Sequence, residues 1–215
     1  MTGSGRGAGT RLAQSAGQPG TAGAAPRSPH PPARVPLKGG LYSGGFLDAI
    51  AKAEHNVKGY AEVNPGNAWG RYQMTPGALI DAGIVDPNTE KWTGPLARQL
   101  GIRSEQDFLN NPLAQEMAIE AYLKRTERAL RNKGVTAHIG RTIDGIKGDI
   151  TVTESGLLAA AHRRGAGNVA LYLDHLKRHN WISDPSTFPM GDFRDKFLHV
   201  ETRLRLFQAT RHRQP

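Results

Sequence analysis

The chain contains no cysteine, so neither a disulfide nor a thiolate metal site can hold it together, and the compartment is left open. No apolar run approaches the ~18 residues of a membrane span. Residues 1–40 contain no aspartate or glutamate and only scattered apolar side chains, against nine glycines and six prolines. Such a segment cannot bury enough surface to offset its ordering entropy, so residues 1–40 are expected to form a disordered tail. They also lack the apolar stretch of roughly 7–15 residues that a secretory signal needs, which implies, if the protein is exported, another route or an altered N-terminus. From Leu41 onward there is ample length for one hydrophobic core, with a domain expected over residues 41–210.

Positive charge is in excess. The formal net charge of the 215-residue chain is +9, of which Arg6, Arg11, Arg27, Arg34 and Lys38 carry +5 inside the tail. A basic balance favours a polyanionic partner such as nucleic acid, anionic lipid or an anionic cell-wall polymer. Zinc-finger spacing is impossible without cysteine, and no aromatic-rich strand suits single-stranded nucleic acid. Arg163-Arg164 and the stretch from Arg203 to Arg213 read either as phosphate contacts or as solvated faces.

Hydrophobic periodicity predicts helices along the whole domain. Ser43 caps a first helix with Phe46, Leu47, Ile50 and Ala51 on its apolar face and Glu54 near its end. Gly59 and Asn64-Pro65-Gly66-Asn67 mark a loop. Thr75-Pro76 and Asn111-Pro112 are N-cap and first-turn pairs, and Gly83 and Gly134 suit the stops. In the long helix after Pro112, the expected inner face is Leu113, Met117, Tyr122, Thr126 and Leu130. Thr151 with Glu154 reads as a capping box, and a further helix is expected from Asn168 to about His179. Phe193, Phe197, Val200, Leu204 and Phe207 form the stripe of a last helix. Only Asp149–Thr153 has strand character. An irregular all-α domain of about six to eight helices is the expectation.

Glu54, His55 and Glu62 are the acid/base-capable side chains beside the loop. A carboxyl held against Ile50, Ala51 and Ala53 has its ionised form disfavoured, which predicts a raised pKa and a general acid. From these residues alone a solvated glutamate at a helix end is the commoner outcome. Glu62 is a candidate second carboxylate, as two-carboxylate glycosidases require. No histidine pair has metal-ligand spacing, Gly165-Ala166-Gly167 is too short for a phosphate loop, and no Gly-x-Ser-x-Gly is present.

"FLDAIAKAE" followed by "AWGRYQMTPGAL" resembles the lysozyme-like lytic transglycosylases, the soluble lytic transglycosylase and phage lambda-type endolysin families. These families order a catalytic Glu, a Gly-x-x-Gln segment after a loop, and an Ala-Tyr-Asn-Ala-Gly-x-Gly stretch. The corresponding segments here are Glu54, Gly70-Arg71-Tyr72-Gln73-Met74 and Ala161–Val169, with His162 in place of Tyr and Arg163 in place of Asn. The resemblance covers roughly residues 42–180 as ordered motifs. It implies a goose-type, soluble lytic transglycosylase-like fold and cleavage of the β-1,4 bond between N-acetylmuramic acid and N-acetylglucosamine in peptidoglycan. In that chemistry Glu54 protonates the glycosidic oxygen, then as carboxylate takes the C6 hydroxyl proton while a 1,6-anhydro ring closes. Gly70, Tyr72, Gln73, Met74 and His162 are the implied substrate contacts, and no metal or cofactor is implied. Implied settings are the periplasm or cell envelope, or a virion, alongside a secretion, flagellar or phage apparatus. Two alternatives stay open: a hydrolytic muramidase with Glu62 as base, and a non-catalytic glycan- or nucleic-acid-binding module of the same fold.

Overall fold

In the computed structural model, residues 33–54 and 59–214 are described. Residues 1–32 of the expected tail, and His55, lie outside them. The helices are α1 (Gly44–Ala53), α2 (Pro76–Asp81), α3 (Pro95–Leu100), α4 (Glu105–Leu109), α5 (Pro112–Asn132), α6 (Glu154–Arg178) and α7 (Asp192–Phe207). A 3₁₀ turn, Val135–His138, precedes a two-stranded antiparallel hairpin of β1 (Thr142–Gly145) and β2 (Gly148–Thr151). The domain is mostly helical as expected, and β1 is an element the periodicity did not reveal.

Local chemistry sets most helix starts. The side chains of Ser43, Thr75 and Asn111 accept from Phe46, Ala78 and Ala114 N–H, and Pro76 and Pro112 follow two of these caps. The expected cap at Thr151 is displaced. Thr151 pairs with Thr142 in the hairpin, so Thr153 supplies the oxygen that accepts from Gly156 N–H. Glu154 instead lies 3.1 Å from His212. Gly165 breaks α6 with φ 78°, ψ 150°, so the second half of that helix begins just before the expected Asn168.

The core is built where α6 and α7 pack together, with α5 and α1 against them. Leu157, Leu158 and Ala159–Ala161 are buried in the first half of α6, Val169, Leu173 and Leu176 in the second. Phe197, Val200, Leu204 and Phe207 of α7 meet them, with Phe46 of α1 edge-on to Phe207 at 5.7 Å. Phe193, expected in that stripe, is 41% exposed at the first turn of α7. The inner face of α5 also differs from expectation: Leu113 is 46% exposed. Ala114, Ala118, Ile119 and Leu123 face inward with Gln115, Glu116 and Glu120, which hydropathy alone assigns to solvent.

Those buried polar groups anchor the rest of the chain. Glu120 accepts from Leu41 and Tyr42 N–H at 3.0 and 3.2 Å, and Glu127 from the Tyr42 hydroxyl at 2.9 Å. Glu116 accepts from Arg34 at 3.1 Å and from the Tyr60 and Tyr72 hydroxyls at 2.6 and 2.8 Å. Residues 33–40, placed in the tail by composition, are therefore fastened to α5. Beyond them, Trp69 and Met74 exchange both backbone hydrogen bonds at 3.0 Å around the Gly70–Gln73 turn. Gln115 clamps that turn: its Oε1 accepts from Arg71 N–H while its Nε2 donates to the Tyr60 and Phe108 carbonyls.

Gly70 has φ +72°, and a Cβ there would lie 2.0 Å from Gln115 Oε1. Gly70→Ala is expected to lower unfolding stability by about 2–4 kcal/mol in urea titration, combining backbone strain with overpacking. An unchanged midpoint would show that the clamp yields freely.

Candidate functional site

Glu54 is the C-cap of α1, where its N–H still bonds the Ile50 and Ala51 carbonyls, and it is 5% exposed. Three cationic or ionisable side chains from two other helices converge on its carboxylate. Arg203 of α7 donates to Oε1 at 3.0 Å and also to the Ala53 carbonyl at 2.6 Å. Arg163 of α6 donates to Oε2 at 3.0 Å. His162 Nδ1 stands 3.5 Å from Oε1, its ring edge-on to Tyr122. Arg203 is buried with 8% of its side chain exposed, whereas Arg163 is 37% exposed.

These partners decide the protonation state. Burial favours the neutral acid, as the apolar neighbours led one to expect. The His162 hydrogen bond and charge and the two guanidinium groups outweigh it and hold the Glu54 carboxyl at about 2. The expectation of a raised pKa is thus corrected: in this arrangement Glu54 is a carboxylate. Burial, with the nearby charge of Arg163, lowers the pKa of Arg203, while Glu54 opposes that shift. Arginine nonetheless stays a cation at any working pH.

A cleft of about 350 Å³ lies above the cluster, between α2, α5, α6 and the start of α7. Thr75, Ala78, Tyr122, His162, Arg163 and Lys196 are on its wall. Glu54 is not on the wall, whereas His162 and Arg163, which contact its carboxylate, are. The arrangement joins the end of the first motif to the Ala161–Val169 segment, residues 109 positions apart. Thr75, directly after the Gly-Arg-Tyr-Gln-Met segment, completes the opposite wall.

The other expected contacts separate. Tyr72 is 1% exposed with its hydroxyl bonded to Glu116, so it braces α5 rather than lining the cleft, and burial is the first cause of its raised pKa. Met74, also 1% exposed, is core. Gly70 is buried under Gln115, and the Gln73 amide donates to the Gly70 carbonyl at 3.0 Å. Glu62 is half-buried in the loop, where its backbone carbonyl accepts from Gly70 N–H at 2.6 Å. Arg203, expected as a phosphate contact or part of a solvated face, is instead buried against Glu54, and Glu116 has no place among the expected site residues. The signal for Arg203 was present: an arginine set among Val200, Leu204 and Phe207 interrupts an apolar stripe. Glu116 carries no such mark, since it is recognised only through Arg34, Tyr60 and Tyr72.

Among the described residues, no group of three or more His, Asp or Glu side chains is placed to hold a metal ion, and no helix is long and apolar enough to cross a membrane. No family model, curated protein or solved structure matches the chain.

A carboxyl held at about 2 instead of the ordinary 4.5 contributes about 3 kcal/mol to folding stability near neutral pH. Because the folded-state value is depressed, that contribution is present above about 4.5 and lost as pH falls through about 2. Glu54→Gln is expected to be less stable than the parent at pH 7, with the difference closing between pH 5 and 2 in thermal unfolding. Other carboxylates act equally in both proteins, so parallel curves over that range would contradict the assignment.

Proposed function

We propose that this chain cleaves peptidoglycan glycan strands as a lytic transglycosylase of lysozyme-like fold, with Glu54 as the acid that becomes the base. The observation that carries the reading is the meeting of Glu54, at the end of α1, with His162 and Arg163 beneath a cleft whose far wall begins at Thr75. Two of the three segments that carry the sequence resemblance, the end of α1 and Ala161–Val169, thus meet at one carboxylate, while Gly70–Met74 packs against α5. A cell-envelope or virion setting, with a basic chain approaching an anionic polymer, belongs to the same proposal.

The chemistry makes one demand on the resting arrangement. Glu54 as carboxylate is already suited to take the C6 hydroxyl proton. To donate a proton to the glycosidic oxygen it must first hold one, and that requires fewer cations around it. Arg203 is fixed by burial and by the Ala53 carbonyl. Arg163, the more exposed arginine, is one partner that can turn away, and because His162 lowers the carboxyl more than either arginine, protonation of Glu54 also needs the His162 contact to loosen.

A second reading has one observation in its favour. A buried carboxylate saturated by two arginines is also a structural ion cluster, which fits a glycan-binding module without turnover.

Purified protein acting on a peptidoglycan suspension separates these. The expected products carry 1,6-anhydro ends, lighter by one water than reducing ends, and Glu54→Gln is expected to lose about 10²–10⁴ of the rate, the usual share of acid–base catalysis. Reducing ends, with loss of activity in Glu62→Gln, would make the chain a muramidase. No release of soluble fragments by a folded protein would leave the binding module.

A further inference from the structure

We propose that the outer face of α7, together with the tip of the β1–β2 hairpin, docks on an anionic lipid surface. The residues that carry this lie outside the cleft, so the proposal stands apart from what Glu54 does.

The helix α7 carries apolar residues on two sides. Phe197, Val200, Leu204 and Phe207 fill the core, and that stripe is sufficient to seat the helix. On the opposite side Arg194, Leu198, Thr202 and Leu206 follow at four-residue spacing, and all are exposed. Leu206 is 58% exposed, and Met190, just ahead of the helix, 92%. The hairpin tip joins this row. Ile146 is held there by its N–H, which donates to Glu201 at 2.9 Å, and its side chain is left exposed. Ile146, Lys147, Leu198, Thr202 and Arg205 line one shallow groove of about 250 Å³. Exposed aliphatic side chains gathered around one groove mark a contact surface.

Charge selects what covers it. Lys147 and Arg194 are exposed and enter no ion pair among the described residues. Arg205, the other cation of the groove, is held by Glu201 at 3.4 Å and by the Gly148 carbonyl at 2.7 Å. The carboxylates of this region are committed or turned away. Glu201 is buried and accepts from the Tyr172 and Ser183 hydroxyls, and Asp195 is paired with Arg164. Asp144 and Asp149 are register partners in the hairpin and alternate with Gly145, whose face meets Arg205, so they project from the opposite face. Asp192 sits in the first turn of α7, where the positive end of the helix offsets its charge. A ridge with unpaired cations repels a second copy of itself, and it offers no aromatic row on which bases could stack. It matches the headgroup layer of an anionic bilayer, where lysine and arginine meet phosphate while leucine, isoleucine and methionine enter the acyl boundary. The ridge from Arg194 to Leu206 is ~18 Å long and straight enough to lie along a plane.

Co-sedimentation of the full chain with sucrose-loaded vesicles tests this. Vesicles of phosphatidylcholine with one quarter phosphatidylglycerol are expected to bind about tenfold more tightly than phosphatidylcholine alone, a preference that fades at ~500 mM salt. Leu206→Asp and the double variant Lys147→Gln/Arg194→Gln are each expected to weaken that binding about fivefold or more. All three side chains are exposed, and circular-dichroism melting checks that the variants fold like the parent. Leu171→Asp alters a comparably exposed leucine on α6 and is expected to bind as the parent does. Equal binding to both vesicle types, undiminished binding by Leu206→Asp, or the same loss in Leu171→Asp would overturn the proposal. So would a dimer in sedimentation velocity that Leu206→Asp abolishes, or a single-stranded oligonucleotide that displaces the vesicles. Vesicle binding without peptidoglycan cleavage would sink the enzymatic reading and leave this surface standing; cleavage without vesicle binding would do the reverse.

Discussion

The architecture around the cleft depends on one buried carboxylate. Glu54 stops α1, and its two oxygens are claimed by α6 through Arg163 and by α7 through Arg203. Arg203 also takes the Ala53 carbonyl, one of the unsatisfied groups at the end of α1. A charge buried in this way is tolerable only while its partners stay in place. The cluster therefore fixes the distance and rotation of three helices more sharply than apolar packing would. It also places His162, Arg163 and the Gly165 break at the floor of the cleft.

A second set of carboxylates, Glu116 and Glu120 buried and Glu127 partly so, does equivalent work along α5. Glu116, Glu120 and Glu127 occupy one face of α5 and receive hydrogen bonds from the chain that leads into α1. Tyr60 and Tyr72 meet on Glu116, and burial first, then Glu116, pushes the Tyr60 hydroxyl up to about 12. This network holds the Gly70–Gln73 turn against α5. Residues that resemble substrate contacts by sequence are thereby committed to the fold, and the turn contributes to the cleft mainly by delivering Thr75 and α2.

Stability and the proposed catalysis make opposite demands on Glu54. The cations that make its burial tolerable are those that withhold the proton a general acid needs. The two arginines divide these roles through their exposure. Arg203, enclosed, is held by both Glu54 and the Ala53 carbonyl, while Arg163, 37% exposed, is the partner that water can solvate.

The sequence by itself determined α1, α2, α5, α6 and α7, because their signals are local, while the short α3 and α4 carry too little periodicity to be read. Ser43, Thr75 and Asn111 cap within three residues, prolines preset the first turn, and the stripes of α1, α6 and α7 repeat at helical spacing. The family resemblance suggested that Glu54 and the Ala161–Val169 segment belong together, and in the structure His162 and Arg163 contact Glu54. Local signals misled where a distant partner competed: Thr151 was taken by its strand pairing with Thr142, and Leu113 gave up its inward position to a face that buries Gln115 and Glu116. Only the tertiary structure decided the chemistry of Glu54. Its apolar neighbours along α1 argue for a neutral acid, but Arg163 and Arg203, 109 and 149 residues away, make it a carboxylate. The reason is physical: desolvation is set by immediate surroundings that a sequence partly displays, whereas charge–charge interaction depends on distance in space, which exists only once the helices have packed.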